Sequence, residues 1–538
     1  MKKPALFLAI GIFCLTGLQS FAQIAVPFKS KTDDSIHTVY IWHSDTLREL
    51  HKDSIAIQSL FGHVKLQSDK TFFYTDSLAM NHKDNYIEAY GHVHINDKDS
   101  TDIYSDYMKY FVDTKNIIFQ RNVELRDGKG TLTTEELHYD MNMHIGDYFN
   151  GGKVVDKKTT VTSQEGTYYA DTKDVYFKKN VILKDPAYEL KADSLLYNSE
   201  KETATFITNT FIRDSSGRTI STREGFYDMK NHRAQFGKRP TITDKGETIT
   251  ANDIQFDDST GLSVATGNSV FRDSVQGLTL ISNLMVANKK KNTFLATQKP
   301  LIILKQDEDS IYITGDTVYS ANIPDSTLRD QDSAQGMPIV RTARNQNDSS
   351  LRYLQIYHHV RIFSDSLQAV ADSVYYSGLD SIFRLFTNPV AWAGGYQVTG
   401  DTMFLFTKNK KPERLFVFEN SLVIGKSFTN MYNQIKGNTL NGYFKNGVID
   451  FMRSKGSAEA VYYIKDDSAA LVGVNRVNKA DVIDLIFLNK ELNKVVLRQD
   501  ADGIMYPIKK VNLDEMKLRG FKWLEDRRPK TKYELFEN

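Results

Sequence analysis

Every 29 to 33 residues, over most of its length, this chain restates one short pattern. A small residue, an acidic or amide residue and a hydroxyl residue come first; about fifteen residues later a Gly- or Asn-containing turn leads into Val. The first half reads Thr75-Asp76-Ser77-Leu78, Ala192-Asp193-Ser194-Leu195, Ala371-Asp372-Ser373-Val374 and Gly400-Asp401-Thr402-Met403, among others. The second half reads Gly62-His63-Val64, Gly91-His92-Val93, Asn122-Val123, Asn180-Val181 and Asn388-Pro389-Val390. Aligned on the acidic position, about fourteen units run from Asp45 to Asp481, so one repeat grammar governs the chain and independent domains need not be invoked.

Within a unit the second half alternates with a period of two. Ile87, Ala89, Val93 and Ile95 fall on one parity, with Glu88, Tyr90, His92 and His94 on the other. The same parity selects Ile117, Phe119, Val123 and Leu125, then Val175, Phe177, Val181 and Leu183, then Thr205, Ile207 and Phe211. Such alternation marks a strand with one buried face. First halves are also strand-like, but their phase slips near the acidic residue, which predicts a bend or bulge there. Each unit thus supplies two strands joined by polar turns. Stacked units would form two facing sheets with the apolar faces inward: an elongated, folded-over antiparallel sheet of about fourteen two-strand repeats. At the acidic position Gln164, Arg223 and Asn283 replace carboxylates in some units, so a corner role, with the side chain accepting backbone N–H bonds, is expected there rather than catalysis.

Residues 1–22 have the zones of a secretory signal: Lys2 and Lys3, an apolar run from Leu6 to Leu18, and Ser20-Phe21-Ala22, which predicts an exported chain beginning near Gln23. The single cysteine, Cys14, lies in that run, so the mature chain is expected to have neither disulfides nor thiolate metal sites. With 68 basic and 67 acidic residues there is no net field to draw nucleic acid, and no later apolar run reaches the length of a spanning helix. Residues 321–350 are polar and aperiodic, reading as a loop or hinge between a regular repeat segment (23–320) and a less regular one (351–500). In the tail (501–538), Leu513 to Glu525 shows helical spacing with Asn512 as an N-cap, predicting a short C-terminal helix.

The run Ala192-Asp193-Ser194-Leu195-Leu196-Tyr197, with Gly91-His92-Val93-His94-Ile95-Asn96-Asp97, resembles the OstA-like family: the periplasmic bridge proteins of lipopolysaccharide transport and the soluble N-terminal domain of the outer-membrane translocon. The resemblance covers about residues 35–320 well and 351–490 less regularly. It implies a V-shaped β-jellyroll in the periplasm whose apolar groove shields acyl chains. It also implies lipopolysaccharide or a related glycolipid as cargo, and edge-to-edge pairing with other jellyroll proteins of the bridge and with the translocon. On that reading the fourteen residues lining the groove are Ile87, Ala89, Val93, Ile95, Ile117, Phe119, Val123, Leu125, Val175, Phe177, Val181, Leu183, Ile207 and Phe211.

No catalytic motif stands out, and no cofactor, metal or enzymatic activity is expected. His92 and His94, and the adjacent His358 and His359, read as solvated turn residues rather than ligands. Lys178-Lys179 and Lys238-Arg239 read as surface basic pairs that would meet lipid phosphates if they stood at a groove mouth. Three alternatives share the repeat: a β-helical polysaccharide-active enzyme, which would gather its carboxylates on one rung; an outer-membrane barrel, whose lipid face would lack these Lys, Glu and Asp; and a β-repeat scaffold that binds proteins.

Overall fold

The computed structural model describes residues 24–30, 36–52, 55–97, 101–305, 310–324, 352–408, 411–445, 448–466, 470–488 and 491–536. The signal expected at 1–22, Cys14 and most of the 321–350 segment lie outside the described residues. Those described form 41 strands and no α-helix, and none is long and apolar enough as a helix to cross a membrane. The chain divides into two compact units, Met1–Thr208 and Asn209–Asn538.

In the first unit the strands Ile55–Ser68, Thr71–Asn81, Tyr86–Asp97, Thr101–Phe111, Asn116–Arg126 and Gly130–Asp140 pair antiparallel, each with the next. Each pairing skips at its middle, between Phe61 and Val64, Tyr74 and Ser77, Tyr90 and Val93, Tyr104 and Tyr107, and Gln120 and Val123. Because the skips fall in line, the sheet folds along that line into two arms. One arm carries Val93–Asp97 and Thr101–Ser105, the other Tyr86–Tyr90 and Tyr107–Phe111. Beyond Asp140 the arms are separate strands: Ile145–Tyr148 continues one and Gly152–Asp156 the other. This is the folded-over antiparallel sheet expected from the repeat, consistent with a stacked β-jellyroll.

The fold line has a uniform backbone. Two successive residues with positive φ stand at the bend of nearly every repeat: Gly62–His63, Gly91–His92, Arg121–Asn122, Lys179–Asn180, Lys238–Arg239, Gly267–Asn268, Gln298–Lys299, His358–His359, Thr387–Asn388, Glu419–Asn420, Gly456–Ser457 and Gln499–Asp500. Left-handed residues cost about 1–2 kcal/mol when they carry a Cβ, so the fold line is stored strain that the ladders on both sides hold in place. Glycine at the first position has a second reason. A Cβ on Gly91 would lie 2.5 Å from Asp76 Oδ2, because the acidic side chain folds over it.

The small residue of the motif sits inside the bend. Thr75 Oγ1 donates to the carbonyls of Tyr90 and Gly91, and Thr134 Oγ1 to that of Gly151 at 2.7 Å. Where glycine fills this slot there is no room for more: a Cβ on Gly400 would stand 2.2 Å from Val417 Cγ1, and one on Gly315 2.6 Å from Ile356 Cγ2.

The second unit repeats the plan, with skips between Thr266 and Ser269, Tyr357 and Val360, Phe418 and Ser421, and Lys455 and Ala458. Strand Thr317–Asn322, which takes in the first two residues of the polar segment, pairs with Arg352–Phe363, which follows it. The tail differs from expectation. Between Leu513 and Glu525 no α-helix forms; only 3-10 turns occur, at Ile508–Lys510, Glu525–Arg527 and Lys532–Phe536, and Asn512 Oδ1 merely accepts from Asp514 N–H. The tail is instead stretched as a strap. Buried Gln434 donates to the Met516 carbonyl and accepts from Leu518 N–H, and buried Gln397 treats Lys522 and Leu524 the same way at 2.7 Å each. Met516 and Leu518, two residues apart, both enter the cluster of Leu422, Ile424, Val461, Tyr463 and Val474, a spacing that an extended chain satisfies and a helix does not.

Candidate functional site

Twelve of the fourteen groove candidates line the space between the arms of the first unit: Ile87, Ala89, Val93, Ile95, Ile117, Phe119, Val123, Leu125, Val175, Phe177, Val181 and Leu183 are buried, the most exposed at 4%. They are packed rather than set around an open channel. Ile95, Phe119, Phe177 and Leu183 have no exposed surface, and Phe73 of one arm meets Tyr110 of the other at 5.3 Å between ring centroids.

Ile207 and Phe211 are corrected: they face outward, 45% and 41% exposed, while Ala204, Phe206, Thr210 and Ile212 are buried. The corner at this repeat lacks the left-handed pair, with Thr208 Oγ1 accepting from Ser194 N–H at 3.0 Å instead, but the spacing of the motif still marks the phase. Asn122 lies sixteen residues after Asp106 and bonds it, and Asn209 lies sixteen after Asp193. Aligning Asn209 with Asn122 places Phe206 and Thr210 in the slots of Phe119 and Val123. The apolar character of Ile207 and Phe211 misdirected the parity.

The acidic position is a corner partner, with a different bond from the one expected. Its backbone N–H donates to the bend, as Asp45 N does to the Phe61 and Gly62 carbonyls and Asp316 N to those of Tyr357 and His358. Its carboxylate takes a side chain of the left-handed pair: His63 Nδ1 at 3.0 Å from Asp45, His92 Nδ1 at 2.7 Å from Asp76, Asn122 at 2.7 Å from Asp106, His359 at 2.9 Å from Asp316 and Asn420 at 2.9 Å from Asp401. Donating to the Asp76 carboxylate raises the His92 pKa, and accepting from His63 lowers that of Asp45. His94 does not converge with His92. It stacks on Tyr104 at 4.4 Å and bonds Asp102 at 2.8 Å. Among the described residues no cluster of His, Cys, Asp and Glu is arranged to hold a metal. The basic pairs are at the fold line, not at a mouth: Lys179 pairs with Glu165, Lys238 with Glu224, and Arg239 bonds the Asn268 carbonyl.

At the opposite side, where the arms' free ends meet, lies a feature the sequence reading missed. Tyr139, Tyr168 and Tyr197, at the tip of one arm, donate to Asp97, Asp127 and Asp156, at the tip of the other, at 3.0, 2.9 and 2.7 Å. His144 also reaches Asp97, Tyr110 bonds Ser68, and Lys115 and Lys157 pair with Asp69 and Glu202 across the same line. Burial, reinforced by the neighbouring carboxylates, pushes the hydroxyl pKa of Tyr139, Tyr168 and Tyr197 well up, so these groups stay protonated donors. The tyrosine and aspartate are the two unexplained ends of the repeat grammar, the Tyr197 of Ala-Asp-X-Leu-X-Tyr and the Asp97 that closes the Gly-His-Val strand. They partner 41 or 42 residues apart, a regular offset that was present in the chain.

The second unit has a cleft of about 530 Å³ lined by Tyr396, Tyr462, Tyr463, Lys426, Lys465 and Lys494. It is polar and shares none of the fourteen candidates.

Residues 37–193 match the family model described as OstA-like protein. No curated protein matches the chain. Among solved structures the chain is similar to LptH of Pseudomonas aeruginosa, described as the LptA-homologous periplasmic component of the conserved lipopolysaccharide transport device. The likeness is 12% identity over 26% of this chain and 81% of that one, with a TM-score of 0.19. The matched segment, residues 37–193, builds most of the first folded-over unit.

Proposed function

We propose that this chain is an exported, periplasmic lipid-binding bridge protein that carries lipopolysaccharide or a related glycolipid toward the outer membrane, holding the acyl chains between the two arms and leaving the sugars in water. The observation that carries the reading is the row of buried apolar side chains, Ile87 to Leu183, between the fold line and the mouth, inside a segment that matches the OstA-like model. Each methylene transferred from water to that face is worth about 0.8 kcal/mol, so a few acyl chains supply ample binding energy without covalent chemistry, and the protein acts as a carrier rather than an enzyme. The edges suit end-to-end partners. Among the described residues Thr46–Lys52 pairs on one side only, with Ile55–Ser68, and Glu491–Arg498 only with Leu471–Leu488. Such edges can accept a strand from another jellyroll protein of the bridge or from the translocon.

Site-specific photo-crosslinking at Val93, Phe119 and Val181 tests the reading: capture of glycolipid supports it, and capture of proteins alone contradicts it. A second reading, a β-repeat scaffold for protein partners, draws on the packed interior, in which the same side chains fill one another's space. Protein-only capture is the result that reading expects.

A further inference from the structure

The two sides of the first unit are held by different means. Along the fold line the arms share a covalent chain, and backbone ladders run up to the bend within each arm. Across the mouth, the bonds named above all use side chains: Tyr139–Asp97, Tyr168–Asp127, Tyr197–Asp156, Tyr110–Ser68 and the two lysine–carboxylate pairs. A side-chain hydrogen bond can be exchanged for water at little net cost, whereas a strand ladder cannot be opened without orphaning backbone groups. The interior behind the mouth is apolar and shut off from water, so a hydrocarbon chain reaches it only if some edge parts. The weakest edge is the mouth.

We propose that the Tyr–Asp seam is the lateral entry site for hydrocarbon chains, a latch whose three tyrosine hydroxyls hold the arms shut until an amphiphile with acyl chains displaces them. This inference rests on the proposed lipid-binding function. The fold line acts as the hinge, and Asp97, Asp127 and Asp156 turn to water as the tips separate. Across the mouth Asp97 is the most strongly held, accepting from both Tyr139 and His144. Asp127 and Asp156 each have one tyrosine donor across the mouth, which places the easier opening toward the Tyr168 and Tyr197 rungs.

The test uses dansyl-undecanoic acid as a hydrocarbon probe, with uptake by the full mature chain followed in stopped flow. Tyr139→Phe/Tyr168→Phe/Tyr197→Phe removes three hydroxyls, keeps the rings, and leaves three carboxylates without those donors. The association rate and the apparent affinity should both rise by at least about tenfold, as expected when a closed state is destabilised. Tyr176→Phe, outside the seam, should change neither. The converse variant, Asp127→Cys/Tyr168→Cys joined by a bismaleimide, should slow uptake by at least about tenfold, and it decides the matter if the triple variant fails to fold. Uptake by the linked protein at the wild-type rate, or a folded triple variant with unchanged kinetics, overturns the latch while leaving lipid binding intact. A failure of probe and glycolipid to bind any of these proteins overturns the proposed function instead.

Discussion

Replacing Gly400 with alanine tests why the repeat demands a small residue before its acidic position. The backbone there does not have positive φ, so alanine is conformationally acceptable and would by itself stabilise by about 0.4–1 kcal/mol through the unfolded chain. The contact decides otherwise. The new Cβ would lie 2.2 Å from Val417 Cγ1 and 3.2 Å from the Glu419 carbonyl oxygen, and Val417 is fully buried. Ordinary carbon contacts need about 3.5–4.0 Å, so one arm must yield by more than an ångström at the tightest point of the bend. Overpacking of this kind costs about 1–3 kcal/mol, which leaves a net loss of about 1–2 kcal/mol. The assay is urea unfolding read by tryptophan fluorescence in a Trp42→Phe background. The chain has three tryptophans, and the other two, Trp392 and Trp523, both belong to the second unit. Val417→Ala should cost stability alone and restore Gly400→Ala when combined, with a coupling of about 1 kcal/mol or more. A neutral Gly400→Ala, or strictly additive losses, would refute the steric account of the bend.

Other consequences are as direct. Thr387, β-branched at φ 63°, should gain about 1 kcal/mol of stability on Thr387→Gly, measured by the same unfolding assay, and a loss would show that the left-handed pair is not strained. Burial pushes the Tyr110 hydroxyl up to about 12. Its protonated form is the favoured one, so this stabilisation is fully present below pH 10 and disappears as pH rises toward 12, worth about 3 kcal/mol in all. Unfolding of the first unit measured from pH 9 to 12 should show a decline, and Tyr110→Phe should make it shallower by that share, the remainder belonging to the other buried tyrosines, Tyr139, Tyr148, Tyr168 and Tyr197. Gln397→Leu leaves the Lys522 carbonyl and Leu524 N–H without their partner at a cost of about 2–4 kcal/mol. Limited proteolysis should then release the C-terminal strap, and a variant as resistant as wild type would deny the clamp its role.

How much of this was written in the chain depends on the range of the signal. Strand parity is local, and it located twelve inward residues because alternation and burial share a period of two. It failed at Ile207 and Phe211, where outward apolar side chains outvoted Ala204 and Thr210, and where only the corner Asn209 carries the true phase. The bend was legible as a phase slip, but its paired left-handed backbone was visible only where glycine marks it. Arg121, Lys179 and Thr387 adopt the same geometry with no compositional trace, because the ladders on both sides impose it. The Tyr–Asp seam joins residues on opposite arms, and neither member is unusual in its own strand. The tail has helical spacing, yet Gln397 and Gln434 on distant strands claim its backbone groups and draw it out.

Native mass spectrometry of the chain recovered from the cell envelope is the most direct measurement of whether hydrocarbon occupies the space between the arms. The account predicts a mature protein beginning near Gln23 that carries an additional mass equal to a glycolipid, lost when the mouth is linked shut before loading. A chain that always flies bare, under conditions that keep lipid on other carriers, would contradict it.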